Sequence, residues 1–428
     1  RPPQEAVFVN LTVPSRAPRG AVQAGFVATA FAGALLSLTA SAQAQTVSCD
    51  SLPNPIYGVG GSAATPLIKR VAQILAAQTD STQTTVIYQD PGACFAMQSL
   101  VSGTKLTGTA KYWTPDATTD QTCTLPTAGV DAQWGAMAQL ATTCPGIAAL
   151  PATVGDFLGP ISGFSIIANA GSSQEVISAE ALYSVYGLGP QTAAIAPWTN
   201  LATLGSRTTT SAAGLLLAKA VGLPLTRSLA GTDDKNQSGV ITKLTSPAAT
   251  ADQTALDSTL GFIATEAADA QRGKNTIKTL AYQHKDQLTG YYPDSTPSAS
   301  DKVNIREGRY FLWNPHHFFA KQSDKGVIAD EKVATFIAYF TGDKELPGKK
   351  PFIDVTIANG NIPTCAMHVT RDDDMGPLAS FQAEEPCDCY YEAKATGKAP
   401  ATCKACASDT DCKGESQNTC RLGYCEVK

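Results

Sequence analysis

Charge is scarce in this sequence and close to balance: charged residues fill 16% of 428 positions, with 32 Lys and Arg against 37 Asp and Glu. A nucleic-acid surface needs Lys and Arg gathered on one face, so a DNA- or RNA-binding role is excluded. After the N-terminal region no run of about 20 uncharged apolar residues occurs, and the mature chain is expected to be soluble. There is no P-loop, no H-E-x-x-H pair and no G-x-S-x-G elbow, so no motif marks the chain as an enzyme. No repeat of fixed period is present, which removes solenoid architectures. The chain is too long for one compact core of about 250 to 300 residues, so two lobes plus appendages are expected.

What the sequence does have is cysteine. Of twelve, seven (Cys387, Cys389, Cys403, Cys406, Cys412, Cys420 and Cys425) crowd the C-terminus, where apolar side chains almost vanish. A segment so poor in apolar residues must be held by cross-links, which points to an oxidising compartment. Seven cannot all pair with one another, so Cys365 is the expected eighth. That leaves Cys49, Cys94, Cys123 and Cys144 for two bridges nearer the N-terminus, with the connectivity inside each set open. The spacing of Cys403 and Cys406 would also suit zinc, but export favours disulfides, and neither a metal nor a cofactor is expected.

Export is suggested independently. Arg16 and Arg19 precede the uncharged stretch from Ala21 to Leu38, and small residues follow at Ala42 and Ala44. This is the pattern of a secretory signal peptide over residues 1–44, cleaved near Ala44, which places the mature protein in the periplasm or outside the cell.

From Pro55 to about Ile357, strand-like runs alternate with helical periodicity, as in an α/β fold. Strands are expected at Thr85–Tyr88, Gly163–Ala168, Thr279–Tyr282 and Arg309–Trp313, and helices at Pro66–Ala77, Ser211–Val221 and Glu331–Phe340. Segments 114–127 and 291–301 read as loops.

Two helix starts stand out. Gly58-Val-Gly-Gly-Ser-Ala-Ala-Thr65-Pro66 leads into Leu67, Val71, Ile74 and Leu75, with Thr65 as the expected N-cap and Pro66 as the first helical residue. Arg207-Thr-Thr-Thr-Ser211 leads into a second helix, so a guanidinium sits just ahead of hydroxyls at a helix N-terminus. Free N–H groups, helix dipole and guanidinium together suit an oxyanion. Gly58, Gly60 and Ala63 also fit a dinucleotide G-x-G-x-x-A pattern, a weaker reading because no clear strand precedes them.

The order of these features resembles the substrate-binding proteins of ABC-type phosphate uptake systems. Gly61-Ser-Ala-Ala-Thr65-Pro66 resembles that family's glycine-rich loop before its first helix, and Tyr88-Gln-Asp-Pro-Gly92-Ala93-Cys94 its second turn. Segment 207–213 resembles its Arg-x-x-x-Ser-Gly-Thr motif, Gly261-Phe-Ile-Ala-Thr265 its return segment, and Glu307-Gly-Arg-Tyr310 its late strand. The resemblance spans about residues 55–345 and implies a type II periplasmic binding fold: two α/β lobes joined by two crossing strands, with the ligand in the cleft between them. It implies phosphate or a related small oxyanion as ligand, an ABC-transporter permease as partner, and a monomer. Matched by position, the implied ligand-binding residues are Thr65, Lys111, Arg207, Ser211, Ala212 and Ala213.

Several of these depart from the family's pattern. Pro66 removes a backbone donor, Ala93 replaces a serine, and Ala212 and Ala213 replace a Gly-Thr pair. Lys111 stands where the family has an aspartate that accepts a proton from the ligand, and a lysine cannot accept. Each missing hydrogen bond to a charged ligand costs roughly 1.5 to 3 kcal/mol. A more highly charged or non-protonated anion is therefore expected, and Asp90 would work against any anion nearby. The rival readings are a ligand-free structural or interaction protein on the same fold, docking through the cysteine-rich tail, and, more weakly, a secreted enzyme with an inter-lobe cleft. The expected organisation is a solute-binding domain over 45–365 (one lobe about 50–160 and 275–365, the other about 161–274), a linker over 366–386 and a disulfide module over 387–428. Of the remaining features, His316 and His317 are expected in a loop or edge rather than on a metal, and Asp372, Asp373 and Asp374 in a solvated loop.

Overall fold

The computed structural model describes residues 47–247, 251–323, 325–413 and 418–428. The expected signal peptide lies outside the described residues. Among the described residues, no helix is long and apolar enough to cross a membrane.

The first lobe is built on β1 (Pro55–Gly60), a strand flanked on both sides by parallel partners and therefore apolar on both faces. Its neighbours are β2 (Thr85–Gln89) and β5 (Trp134–Met137), and beyond β2 follow β3 (Thr109–Tyr112) and β4 (Gln121–Thr124). Helix α1 (Thr65–Ala76) buries Leu67, Ile68, Val71, Ala72 and Leu75 at helical spacing. They share a core with Trp134 and Phe336, the latter from helix Glu331–Thr341. Each of the Leu, Ile and Val side chains contributes about 1.5 to 3 kcal/mol of burial. Gly58 and Gly60 lie inside β1, where a Cβ would fall 2.1 Å from the Trp134 ring and 1.9 Å from the Ala136 carbonyl oxygen. Close packing explains these glycines, and the dinucleotide reading is set aside.

The two lobes share β6 (Val154–Asn169), a 16-residue strand. Its first part pairs antiparallel with strand Trp313–Lys321, which returns to β5, and its last residues pair with Gly261–Ala264 and Ile277–Thr279 of the second lobe. These crossing strands give the two-lobed type II periplasmic-binding architecture. Helices Gln237–Leu244 and Thr265–Arg272 cover the strands of the second lobe, with Val240, Leu244 and Ala268 clustering with Ile167, Ile263 and Ile277.

Three local expectations are corrected. The strand expected at 309–313 begins only at Trp313, because Tyr310 turns inward, its N–H bonding the Asn304 carbonyl and its hydroxyl the Phe164 carbonyl. The loop expected at 114–127 contains β4, whose Cys123 is bonded to Cys49. His316 and His317 sit within the shared sheet rather than at an edge. His316 is fully buried, which depresses its pKa to about 3, while His317 Nδ1 meets Asp156 at 2.8 Å.

The cysteines form six disulfides. Cys49–Cys123 and Cys94–Cys144 lie in the first lobe, and Cys365–Cys387, Cys389–Cys403, Cys406–Cys420 and Cys412–Cys425 hold the C-terminal module. Cys406, Cys412 and Cys420 come close enough together to suggest a metal, but their thiols are all consumed in these bonds. Segment 366–386 is packed against the body. Asp374, expected in solvent, is buried and accepts from Leu140 N–H, Thr143 and Asn314. Module helix Asp388–Thr396 is clamped by Arg306, which pairs with Asp388 and Glu392 at 2.6 and 2.7 Å.

Candidate functional site

The loop before α1 and the start of the second helix line one small void, but Thr65 lies outside it. Ser211 caps helix Ala212–Val221: its Oγ accepts from Gly214 N–H at 3.1 Å and donates to the Thr208 carbonyl at 2.9 Å. Thr65 is not the cap expected for α1. It is already helical, Ala64 precedes it in helical geometry, and the Thr65 hydroxyl donates to Asp90 at 3.1 Å.

Around Arg207 the lobes are shut. Cys94 N–H donates to the Thr210 carbonyl at 3.1 Å, and Gln237, which receives Ala264 N–H at 2.8 Å, donates to the Ser62 carbonyl at 3.3 Å. What remains is a void of about 10 Å³ lined by Arg207, Ser211, Ala212, Ala213, Gln237 and the loops at Gly61 and Gly92. That is about the room one water oxygen needs.

Arg207 is the unusual group in this lining. It is 5% exposed, its Nη2 donates to the Lys235 carbonyl at 3.1 Å, and its buried Nε has no partner. Burial lowers its pKa from the ordinary value, against the pull of Asp233, Asp234 and Asp90. Each of those carboxylates is already held by a lysine: Asp233 by Lys235 at 3.2 Å, Asp234 by Lys243 at 2.6 Å and Asp90 by Lys111 at 2.7 Å. The guanidinium charge is thus buried with no carboxylate of its own.

Thr65 and Lys111 belong to a second, larger cavity of about 630 Å³ that shares Ser62 and Gln237 with the first. Lys111 bridges Asp90 and, at 3.5 Å, Asp120. Burial pushes the Asp120 carboxyl up, but the Trp113 hydrogen bond and the charges of Lys111 and Lys69 carry it below its usual range. The far wall carries Asp269 and Lys302, paired at 2.7 Å, and Glu266, 4% exposed. Burial raises the Glu266 pKa to about 8, outweighing its hydrogen bonds from the backbone and Ser162.

Of the six residues matched by position, Arg207, Ser211, Ala212 and Ala213 therefore share one void, while Thr65 and Lys111 line another cavity and are engaged by Asp90. Sequence reasoning missed Gln237, Glu266, Arg70 and Tyr391, all in the larger cavity's lining. Gln237 had a findable signal, because Asn236 is a helix N-cap whose side chain accepts from Gly239 N–H. Tyr391 had none, since it arrives on the module helix from the far end of the chain.

No known protein family's profile matches the chain, and no curated protein does. Among solved structures, the chain is similar to a phosphate ABC transporter substrate-binding protein from Clostridium perfringens with bound phosphate (11% identity, TM-score 0.46, covering 73% of this chain and 100% of that one). It is also similar to an ABC-type phosphate transport receptor from Vibrio cholerae (17% identity, TM-score 0.44, covering 72% and 100%). The OxyR regulatory domain of Pseudomonas aeruginosa is matched as well (9% identity, TM-score 0.36, covering 66% and 96%).

Proposed function

We propose that this protein is an exported solute-binding protein that captures a small oxyanion between its lobes at Arg207, and that it is not an enzyme. The observation that carries this reading is the buried Arg207 guanidinium. Its Nε is unpartnered, every nearby carboxylate is claimed by a lysine, and the Ser211-capped helix starts just after it. A buried charge left without a counter-charge is costly unless a ligand supplies one, and a guanidinium beside a helix N-terminus suits an oxyanion. Phosphate is the leading member of the class, and delivery to an ABC-type permease is the role that goes with the fold. Twelve cysteines, all paired, fit an oxidising compartment.

A ligand-free scaffold is the second reading, favoured by the water-sized void and by the negative charge of Asp90 acting on Arg207. Titration calorimetry of the purified protein with phosphate, sulfate and arsenate separates the two. Binding that disappears in Arg207→Met supports the first reading, and no heat with any anion establishes the second.

A further inference from the structure

We infer that the ligand is larger than a bare tetrahedral anion: a hydroxyl-rich phosphate monoester of the sugar-phosphate type, with one head-group oxygen at Arg207 and its body in the adjoining cavity. This inference rests on the oxyanion reading above and names the ligand class for that site.

The two spaces differ greatly in size. The void at Arg207 holds about 10 Å³, room for one oxygen atom, whereas the cavity sharing Ser62 and Gln237 with it holds about 630 Å³, within the range of small-molecule clefts. An inorganic anion touching Arg207 would leave most of that space to water.

The larger cavity's chemistry selects the body. Its cations Arg70, Lys111 and Lys302 face Asp90, Asp120 and Asp269, a balance of charge. Lys111 and Lys302 are tied to these carboxylates, and Arg70 Nε donates to Asn359 at 3.1 Å. Glu266, which burial favours in its neutral form, leaves the balance undisturbed. Arg70, unlike the two lysines, has no carboxylate partner among the described residues, so the second charge of a phosphate monoester has a counterpart there, whereas a further anionic group finds none. Neutral hydroxyls do, because each donates to a carboxylate while accepting from an amide or another hydroxyl, and Ser238, Asn236 and Gln271 add such groups. Among the described residues, Tyr391 is the one aromatic ring in the lining, and the Arg306 guanidinium lies 5.0 Å from its centroid. This favours a sugar over a nucleobase, which would need an open face on which to stack.

The test is calorimetry of the full protein with a hexose phosphate, glycerol phosphate, inorganic phosphate, the free hexose and the corresponding sugar acid. The hexose phosphate should bind at least tenfold more tightly than inorganic phosphate, and the free hexose should give no measurable heat. Gln271→Ala should weaken the ester several-fold without changing inorganic phosphate, with circular dichroism showing the variant folded. Inorganic phosphate binding as tightly as the ester overturns this inference and leaves the oxyanion reading standing, and a sugar acid binding more tightly overturns the phosphate head group. If no anion binds, the oxyanion reading fails and this inference with it.

Discussion

Replacing Arg207 by methionine should move stability and binding in opposite directions. In the unliganded protein the guanidinium is buried, its Nε is unpartnered and no carboxylate is reserved for it. An unsatisfied buried donor costs about 1 to 3 kcal/mol, and desolvating a charge adds several more. Against this, methionine forfeits one hydrogen bond to the Lys235 carbonyl, about 1.5 to 3 kcal/mol for a charged donor, and the attraction of three carboxylates that lysines already neutralise. Methionine has a similar stem and fills the same space, so no cavity term enters. The balance is a gain of about 1 to 3 kcal/mol for Arg207→Met without ligand. Because a chain of this size shifts its melting point by only about 2 °C or less per kcal/mol, urea unfolding under oxidising conditions is the better assay. In the same variant, oxyanion binding should fall at least a hundredfold, corresponding to about 3 kcal/mol of lost charge-assisted bonding. A variant less stable than the parent by more than about 1 kcal/mol would refute the reasoning, since Arg207 would then be a structural group rather than one held ready for a ligand.

Lys302, 2% exposed, neutralises Asp294 at 2.8 Å and Asp269 at 2.7 Å, so Lys302→Met should cost about 3 to 5 kcal/mol in urea unfolding, with much of it recovered by adding Asp294→Asn. Glu266 has its pKa raised from 4.5 to about 8 by burial, so the folded state holds this proton more tightly than the unfolded state. Its contribution is complete below about pH 4.5 and is lost as pH rises toward 8, at up to about 1.4 kcal/mol per pH unit. Glu266→Gln should flatten the stability-versus-pH curve over that window. Removing the Cys365–Cys387 bridge by a double serine substitution frees a 22-residue separation and should cost about 3 kcal/mol, with early proteolytic release of the module as readout.

The α1 stripe of Leu67, Val71 and Leu75, the helix that runs to Val221 and the strand at Thr85 were legible because they rest on local rules of periodicity. The course of 309–313 was not legible, because Tyr310 follows a buried hydrogen-bond acceptor on β6, more than a hundred residues away in the chain. The interior place of His316 and His317, expected in a loop or edge, was not legible either. A Pro315 beside them argues against an interior strand, yet the pairing slips between Pro315 and His317 and accommodates it.

By itself, the sequence determined the α/β class, the division of the cysteines into a set of four and a set of eight, and Arg207 just ahead of a helix start. Each follows from composition or from neighbours within a few residues. Only the tertiary structure decided that Thr65 and Lys111 do not join Arg207, because Asp90 reaches both at 3.1 and 2.7 Å while lysines hold the carboxylates around Arg207. It also decided that Tyr391 from the cysteine-rich tail helps wall the cleft. Such outcomes depend on which charges meet after the chain has folded back on itself, and that pairing is a matter of distance in space rather than of order along the chain.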